Sequence, residues 1–195
     1  MYSRPAEPLK AARTVVALWR GLLFPAKCKL LGRRFSAGRN LKIFGRLHLK
    51  GPGKVILGDN VVIDRLVTPW TYSSEAQITI GSDTYLNGTR FGCKQSISIG
   101  RLGILGDASI SDTDFHSTHV DRHSPLASVR TAPVAIEENV WVASAVGILP
   151  GTRIGTNSVV GYGAVCAGVY PPNSIIVGNP AKVIKSVPGT PETDD

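Results

Sequence analysis

From Ile136 to Ala167 the chain returns a small or aliphatic apolar residue every six positions: Ile136, Val142, Ile148, Ile154, Val160 and Cys166. Four residues after each of the first five comes a small or β-branched residue, Val140, Val146, Thr152, Ser158 and Ala164. A 3.6-residue helical period smears such a repeat around the whole helix, and a plain amphipathic strand alternates every second residue without turning. A short strand, a turn and another short strand fit, with one side chain per unit aimed inward. A fixed six-residue period is the signature of a hexapeptide solenoid. Three units close one coil of about 18 residues, and each coil buries its inward column against its neighbours.

Upstream, Val55 to Ile63 gives a first hexapeptide with its successor, and Ile80 and Leu86 are again six apart. Arg65 to Ala76 reads as a bulge or loop. Ile97 to Ile110 continues the register with one slipped rung, since Ile99 to Ile104 is five residues. Glycine directly after the inward residue, at Gly58, Gly81, Gly100 and Gly155, suits turns where a side chain clashes or φ turns positive. Ser111 to Pro133 has no six-residue period and holds three of the four histidines. A long loop on a regular scaffold is where function concentrates. The repeat resumes at Val134, and Ser174 to Lys185 closes the domain. The expected organisation is a basic helical segment over 1–37, a β-helix over 38–187 with 111–133 inserted, and a disordered tail over 188–195.

Leu9 to Phe24 has a helical pattern with Leu9, Ala12, Val16, Trp19 and Leu23 on one side, and Pro25 stops the helix. Two roles stay open for it. It caps the first open coil, or it lies on a membrane surface with Arg13, Arg20, Lys27 and Lys29 toward anionic lipid and Trp19 in the interface. Val15 to Phe24 is too short, and too interrupted by Arg20, for a signal peptide or a spanning helix.

At 195 residues the chain suits one domain with a small appendage. Its formal net charge is +8, and between Arg4 and Lys54 thirteen Lys or Arg accompany a single acid, Glu7. That excess points to an anionic partner: a lipid surface or a phosphorylated substrate. Nucleic acid is the weakest of the anionic candidates and is not expected as a partner, because the basic stretch carries no recognition motif and the repeats offer no aromatic stacking platform. Cys28, Cys93 and Cys166 have no metal-ligand spacing. Cys166 reads as a small core hydrophobe, and a reducing cytoplasm is the simplest compartment.

Asn139 to Lys185, with the Trp141 repeat, the turn PGTRIG and the closing GNPAKVIK, resembles the C-terminal half of the hexapeptide-repeat O-acetyltransferases. The likeness covers roughly Val55 to Lys185, and Asp112-Thr113-Asp114-Phe115-His116 is similar to the loop motif of members from sugar and exopolysaccharide clusters. What it implies is an all-β solenoid, a left-handed parallel β-helix assembled as a homotrimer. Such enzymes move an acetyl group from acetyl-coenzyme A to a hydroxyl of a sugar, antibiotic or polysaccharide precursor, and no metal is expected. Left-handedness comes from the resemblance alone, since right-handed crossovers are otherwise the rule. The N-terminal helix lies outside it.

Acetyl transfer to an alcohol requires removal of the hydroxyl proton, which a neutral imidazole can accept. By resemblance His116 is the base, and Asp114, or Asp112, holds its tautomer. His119 and His123 read as solvated loop residues and His48 as structural or exposed. Asn87 is a turn residue before Gly88, or by resemblance a ligand of the acceptor sugar. Trp141 precedes an inward position and so points outward, toward a cleft or a subunit contact. By resemblance Ser144 meets the thioester end of coenzyme A, Tyr162, Ala167 and Gly168 lie along it, and Lys182 and Lys185 lie near its phosphates. Tyr162 stands where alanine is usual and Gly168 where lysine is common.

Alternatives of other kinds are N-acetylation of an amino sugar, antibiotic acetylation, a γ-carbonic-anhydrase-like lyase built on His116, His119 and His123, and a non-catalytic scaffold. The lyase is disfavoured because no histidine lies between His48 and His116 to supply a ligand from an earlier coil. The scaffold leaves the histidine loop unexplained.

Overall fold

The structure, a computed structural model, describes residues 7–189. The acidic end of the tail, 190–195, lies outside the described residues. The chain winds into a left-handed parallel β-helix of triangular cross-section. Its three faces are stacks of short parallel strands. Face 1 runs from Phe35–Ala37 to Val169–Tyr170 in seven strands. Face 2 begins at Lys42–Ile43 and has eight, and face 3 begins at Arg46–Leu47 and has six. Lys182–Ser186 closes face 2 by pairing antiparallel with Ser174–Val177, which blocks further edge pairing with charged residues.

The six-residue column is buried throughout, from Ile136 to Cys166. The second column, Val140, Val146, Thr152, Ser158 and Ala164, is buried equally. Each unit therefore aims two side chains inward, not one, because a two-residue strand contributes one and the corner residue before it another. Stacked β-branched side chains suit this interior, where each meets its counterpart one coil away.

Corners between faces 1 and 2 carry a left-handed residue with φ of 55–60°: Asn40, Asn60, Asp83, Leu102, Asn139, Asn157 and Asn173. Asn and Asp tolerate that region best after glycine, and their side chains bond along the stack. Asn40 donates to Asn60 at 3.0 Å and Asn60 to Asp83 at 2.8 Å; beyond Leu102, Asn139 donates to Asn157 and Asn157 to Asn173, each at 3.0 Å. The glycines at these corners answer to clash rather than to positive φ. A Cβ on Gly58, Gly81, Gly100 or Gly155 would stand 2.4–2.5 Å from backbone of the adjoining coil.

Two expectations in the middle of the chain are corrected. Leu105, not Ile104, points inward: Leu105 is fully buried and Ile104 is 51% exposed. Ile99 to Leu105 keeps the six-residue step, and the short step falls at the next corner, between Leu105 and Ile110. Two adjacent apolar residues made the register ambiguous from sequence. Arg65 to Ala76 is not a loop throughout, since Leu66–Thr71 forms a six-residue strand of face 3.

Helix α1, Glu7–Leu30, packs across the first coil. Pro25 does not stop it. The proline forfeits only its own N–H, while Phe24 meets Phe35 edge-on at 5.1 Å and Cys28 is buried, so packing carries the helix one further turn. Gly32, with φ of 65°, ends it: its N–H bonds the Lys29 carbonyl and the Arg33 N–H bonds that of Cys28. The docked face is Ala17, Gly21, Phe24 and Cys28, not the expected one. Gly21 lies so close to the Leu41 backbone that a Cβ there would stand 1.8 Å from its carbonyl oxygen. Leu9, Ala12, Val16, Trp19 and Leu23 stay largely exposed, with Ala12, Val16, Trp19 and Leu23 lining the grooves that flank the helix. Arg20 is committed to the coil, donating to the Phe44 and Gly45 carbonyls.

Candidate active site

The loop leaves the fourth coil after Ser109–Ser111 and rejoins the fifth at Val134–Ile136 without disturbing the stack, since Ile97 still pairs with Val134. Its two limbs form a stem. Ala132 N–H donates to the Asp112 carbonyl at 2.9 Å, Asp114 N–H to the Arg130 carbonyl at 3.1 Å, and Thr113 bridges Thr131. The returning limb is tied to the next coil by Arg130, which donates to the Pro150 carbonyl at 3.0 Å.

Asp112 anchors this stem. Its buried carboxylate accepts the backbone N–H groups of Lys94 and Gln95, each at 2.7 Å, and the Cys93 thiol at 3.5 Å. Both oxygens are thus engaged away from His116, so Asp112 positions the loop and does not orient the imidazole. Burial and the neighbouring Asp112 charge push the Cys93 thiol up to about 12.

Phe115 follows with φ of 61°, a conformation costly for a bulky residue and common at functional sites. Its ring is seated over Gly92, where a Cβ would stand 2.5 Å from the ring tip, and meets Tyr72 edge-on at 4.9 Å. His116 is the next residue and is exposed; its N–H donates to the Asp114 carbonyl at 2.7 Å. Among the described residues no hydrogen bond joins the His116 ring to the Asp114 carboxylate. His119, at the loop tip, and His123 are exposed, and no group of three His, Cys, Asp or Glu side chains is placed to hold a metal among the described residues.

The other predicted residues fall elsewhere on the prism. Trp141 points outward from face 2, in one column with Tyr85, Ile104 and Val159. Ser144 and Tyr162 are exposed at the corner between faces 2 and 3, on adjacent coils, with Gly163 N–H bonding the Ser144 carbonyl. Asn87 sits at that corner on an earlier coil. Its φ is not positive, the positive angle belonging to Gly88, and its Oδ1 is buried without a hydrogen-bond partner. Lys182 and Lys185 lie on the closing strand of face 2. Ala167 and Gly168 sit at the opposite corner, between faces 3 and 1, above the loop's point of exit, and Ala167 N–H bonds the Tyr170 hydroxyl at 3.2 Å. One chain therefore carries two half-sites on different edges, a histidine arm and a face-2 wall. A groove of about 760 Å³ lies apart from both, between α1 and the first coil.

Sequence reasoning missed Trp70, Tyr72, Gly92 and the seat of Phe115. The repeats do carry an aromatic platform, contrary to expectation: Trp70 and Tyr72 stack with centroids 4.9 Å apart. The signal available was a Trp and a Tyr two residues apart in a stretch set aside as irregular.

No protein-family profile matches the chain. It is 32% identical over 164 residues to WbbJ of Escherichia coli, named for O-acetyl transfer in lipopolysaccharide biosynthesis, covering 79% of this chain and 69% of that protein. It is 26% identical over 178 residues to the galactoside O-acetyltransferase of the same organism, covering 86% of each. Among solved structures, AntD, an N-acyltransferase from Bacillus cereus in complex with dTDP and 3-hydroxybutyryl-coenzyme A, superposes with a TM-score of 0.69 at 21% identity. That match covers 83% of this chain and 87% of AntD. A repeating β-helix with a histidine-bearing loop, together with the WbbJ match, defines an acyltransferase. The chain belongs to the hexapeptide-repeat O-acetyltransferase family, whose reaction class is acetyl-coenzyme A-dependent O-acetyl transfer.

Proposed function

We propose that this protein transfers acetyl from acetyl-coenzyme A to a hydroxyl of a sugar unit in a polysaccharide or its precursor, with His116 as general base. The observation carrying this is the rigid arm: Asp112 and Phe115 fix the loop on both sides of Asp114 and leave the adjoining imidazole exposed. The imidazole nitrogen accepts the acceptor's hydroxyl proton as the oxygen attacks the thioester carbonyl. The tetrahedral oxyanion then collapses, expelling the coenzyme A thiolate, which takes the proton from the imidazolium. Asp114, two residues before the imidazole on the same arm, is the carboxylate we assign to accept the second ring N–H. Asn87, half-buried at the corner beside face 2, contacts the acceptor sugar, and Trp141 walls the site. Ser144, Tyr162, Ala167 and Gly168 line the coenzyme A arm, and Lys182 and Lys185 meet its phosphates.

The assembly is a homotrimer with each site between two chains. Support comes from the separation of the half-sites and from apolar surface a single chain leaves uncovered. At the loop tip Val120 and Leu126 are 98% and 92% exposed, and Ile104 and Trp141 stand out from face 2. The histidine arm of one chain then reaches the wall of the next.

Peripheral contact with an anionic membrane surface, in a cytoplasmic protein at the inner face, is the role we assign to the outer side of α1. Trp19 and Leu22 are 60% and 73% exposed at the rim of the groove beside that helix, whose one acid, Glu7, stands against Lys10, Arg13, Arg20, Lys27 and Lys29. No helix among the described residues is long and apolar enough to cross a membrane. A Trp19→Glu, Leu22→Glu protein should lose flotation with phosphatidylglycerol vesicles; unchanged flotation refutes the contact.

The acetyl-transfer reading is tested by thiol release from acetyl-coenzyme A across sugar, amino-sugar and nucleotide-sugar acceptors. His116→Ala should lower turnover by about 10²- to 10⁴-fold while coenzyme A still binds. Full turnover in that variant removes His116 from the mechanism, and a preference for amines makes the protein an N-acetyltransferase.

A further inference from the structure

Face 3 carries an outward column that the reaction leaves unused. Its register runs from Lys50 to Trp70 to Gly92. Lys50 Nζ lies 4.6 Å from the Trp70 ring centroid, and Trp70 stacks on Tyr72 at 4.9 Å and 21°. Gly92 leaves its own rung empty, and the Phe115 ring fills it, in contact with Tyr72 at 4.9 Å. Four side chains from two coils and the loop thus form one continuous line, across the bare Gly92 of a third coil, that ends one residue before His116.

These rings are not core. The interior beneath them is already filled by Val67, Phe91, Cys93 and Ile110, and Trp70, Tyr72 and Phe115 remain 41%, 41% and 43% exposed. Lys50 and Tyr72 cover the faces of Trp70, so the stack turns ring edges outward, and with the Phe115 ring these form an exposed apolar strip against which the C–H face of a pyranose can pack. The Lys50 ammonium fixes the far end of the line by its charge on the Trp70 face. Backbone constraint holds the near end, because Phe115 cannot turn away without leaving the Gly92 seat.

We propose that Trp70, Tyr72 and Phe115 form an extended acceptor subsite that binds the pyranose rings flanking the sugar acetylated at His116. The acceptor is then a glycan of more than one sugar. This rests on the acetyl-transfer reading and narrows its acceptor.

The test is a glycan microarray of neutral and acidic oligosaccharides, probed with the full-length wild-type protein and its Trp70→Ala, Tyr72→Ala and His116→Ala variants. Each is also titrated with coenzyme A and sedimented. The subsite requires that wild type and His116→Ala mark the same oligosaccharides. Trp70→Ala and Tyr72→Ala should each bind them roughly three- to tenfold more weakly, with coenzyme A affinity and sedimentation mass unchanged. Wild-type signals in both aromatic variants, or no oligosaccharide bound by wild type, overturns it. A fall in mass on substitution also overturns it, by making the rings a subunit contact. Absence of coenzyme A binding in all four proteins overturns the acetyl-transfer reading itself, and the subsite with it.

Discussion

Replacing Asp112 separates a loop anchor from a partner of the catalytic base. The carboxylate is buried and accepts two backbone N–H groups at 2.7 Å, from Lys94 and Gln95. Hydrogen bonds to a charged group contribute roughly 1.5–3 kcal/mol each, and a buried donor left without a partner costs a similar amount. Asp112→Ala removes both acceptors, so the expected loss is about 3–5 kcal/mol, reduced where opening the loop admits water. Asp112→Asn keeps the shape and one acceptor but turns an NH₂ toward the second amide, and should lose about 2 kcal/mol. Turnover should fall in step with stability, because the freed stem no longer holds His116, and the pH dependence of the residual activity should keep its shape. Urea unfolding followed by tryptophan fluorescence, with thiol-release kinetics on the same samples, measures both. An Asp112→Asn protein with an unchanged midpoint, much lower turnover and an altered pH profile would refute the anchor and restore Asp112 as the orienting carboxylate.

Leu102 interrupts the Asn ladder with a bulky side chain at φ of 59°. Leu102→Asn should relieve about 1 kcal/mol of left-handed strain and raise Tm by about 2–4 °C in differential scanning calorimetry; an unchanged or lower Tm contradicts it. Gly92→Ala pushes a Cβ to 2.5 Å from the Phe115 ring, so turnover should fall about 10²-fold with little change in Tm, and wild-type turnover would show that the seat is unimportant. Burial pushes the Cys166 thiol up to about 11, and burial with the Asp112 charge pushes Cys93 up to about 12. Both thiols keep protons in the native state that the unfolded chain releases, so their stabilisation is complete below about pH 8.5 and drains as pH rises through 11 to 12. Denaturation midpoints should fall over that alkaline range, less steeply in Cys166→Ala; equal slopes would contradict the assignment.

The solenoid was legible because a six-residue period survives any choice of coil shape, and every residue of the Ile136 column is buried. Register was legible only where apolar residues stood apart; next to each other, Ile104 and Leu105 were indistinguishable until stacking chose Leu105. The docked face of α1 was illegible for a different reason. Hydrophobicity pointed to Trp19 and Leu23, but the contact is made by small residues, Ala17 and Gly21, that let backbones approach. At the site, His116 stood out through its loop motif, while the parts that hold it did not. Gly92, Tyr72 and Phe115 are brought together by coil stacking, a spacing of about one coil that no local pattern announces. Asp112 and Asp114 looked equivalent in sequence, and only the amides of Lys94 and Gln95 distinguish them.

The central claim is that His116 of one chain works against the Trp141 wall of another. Its most direct test is complementation between His116→Ala and Trp141→Ala proteins, each inactive in thiol release when alone. After unfolding and refolding together in equal amounts, about a quarter of the sites in random trimers pair two intact halves, and turnover should return to about a quarter of wild type. A mixture no more active than its components would contradict the shared site and require both halves to act within one chain.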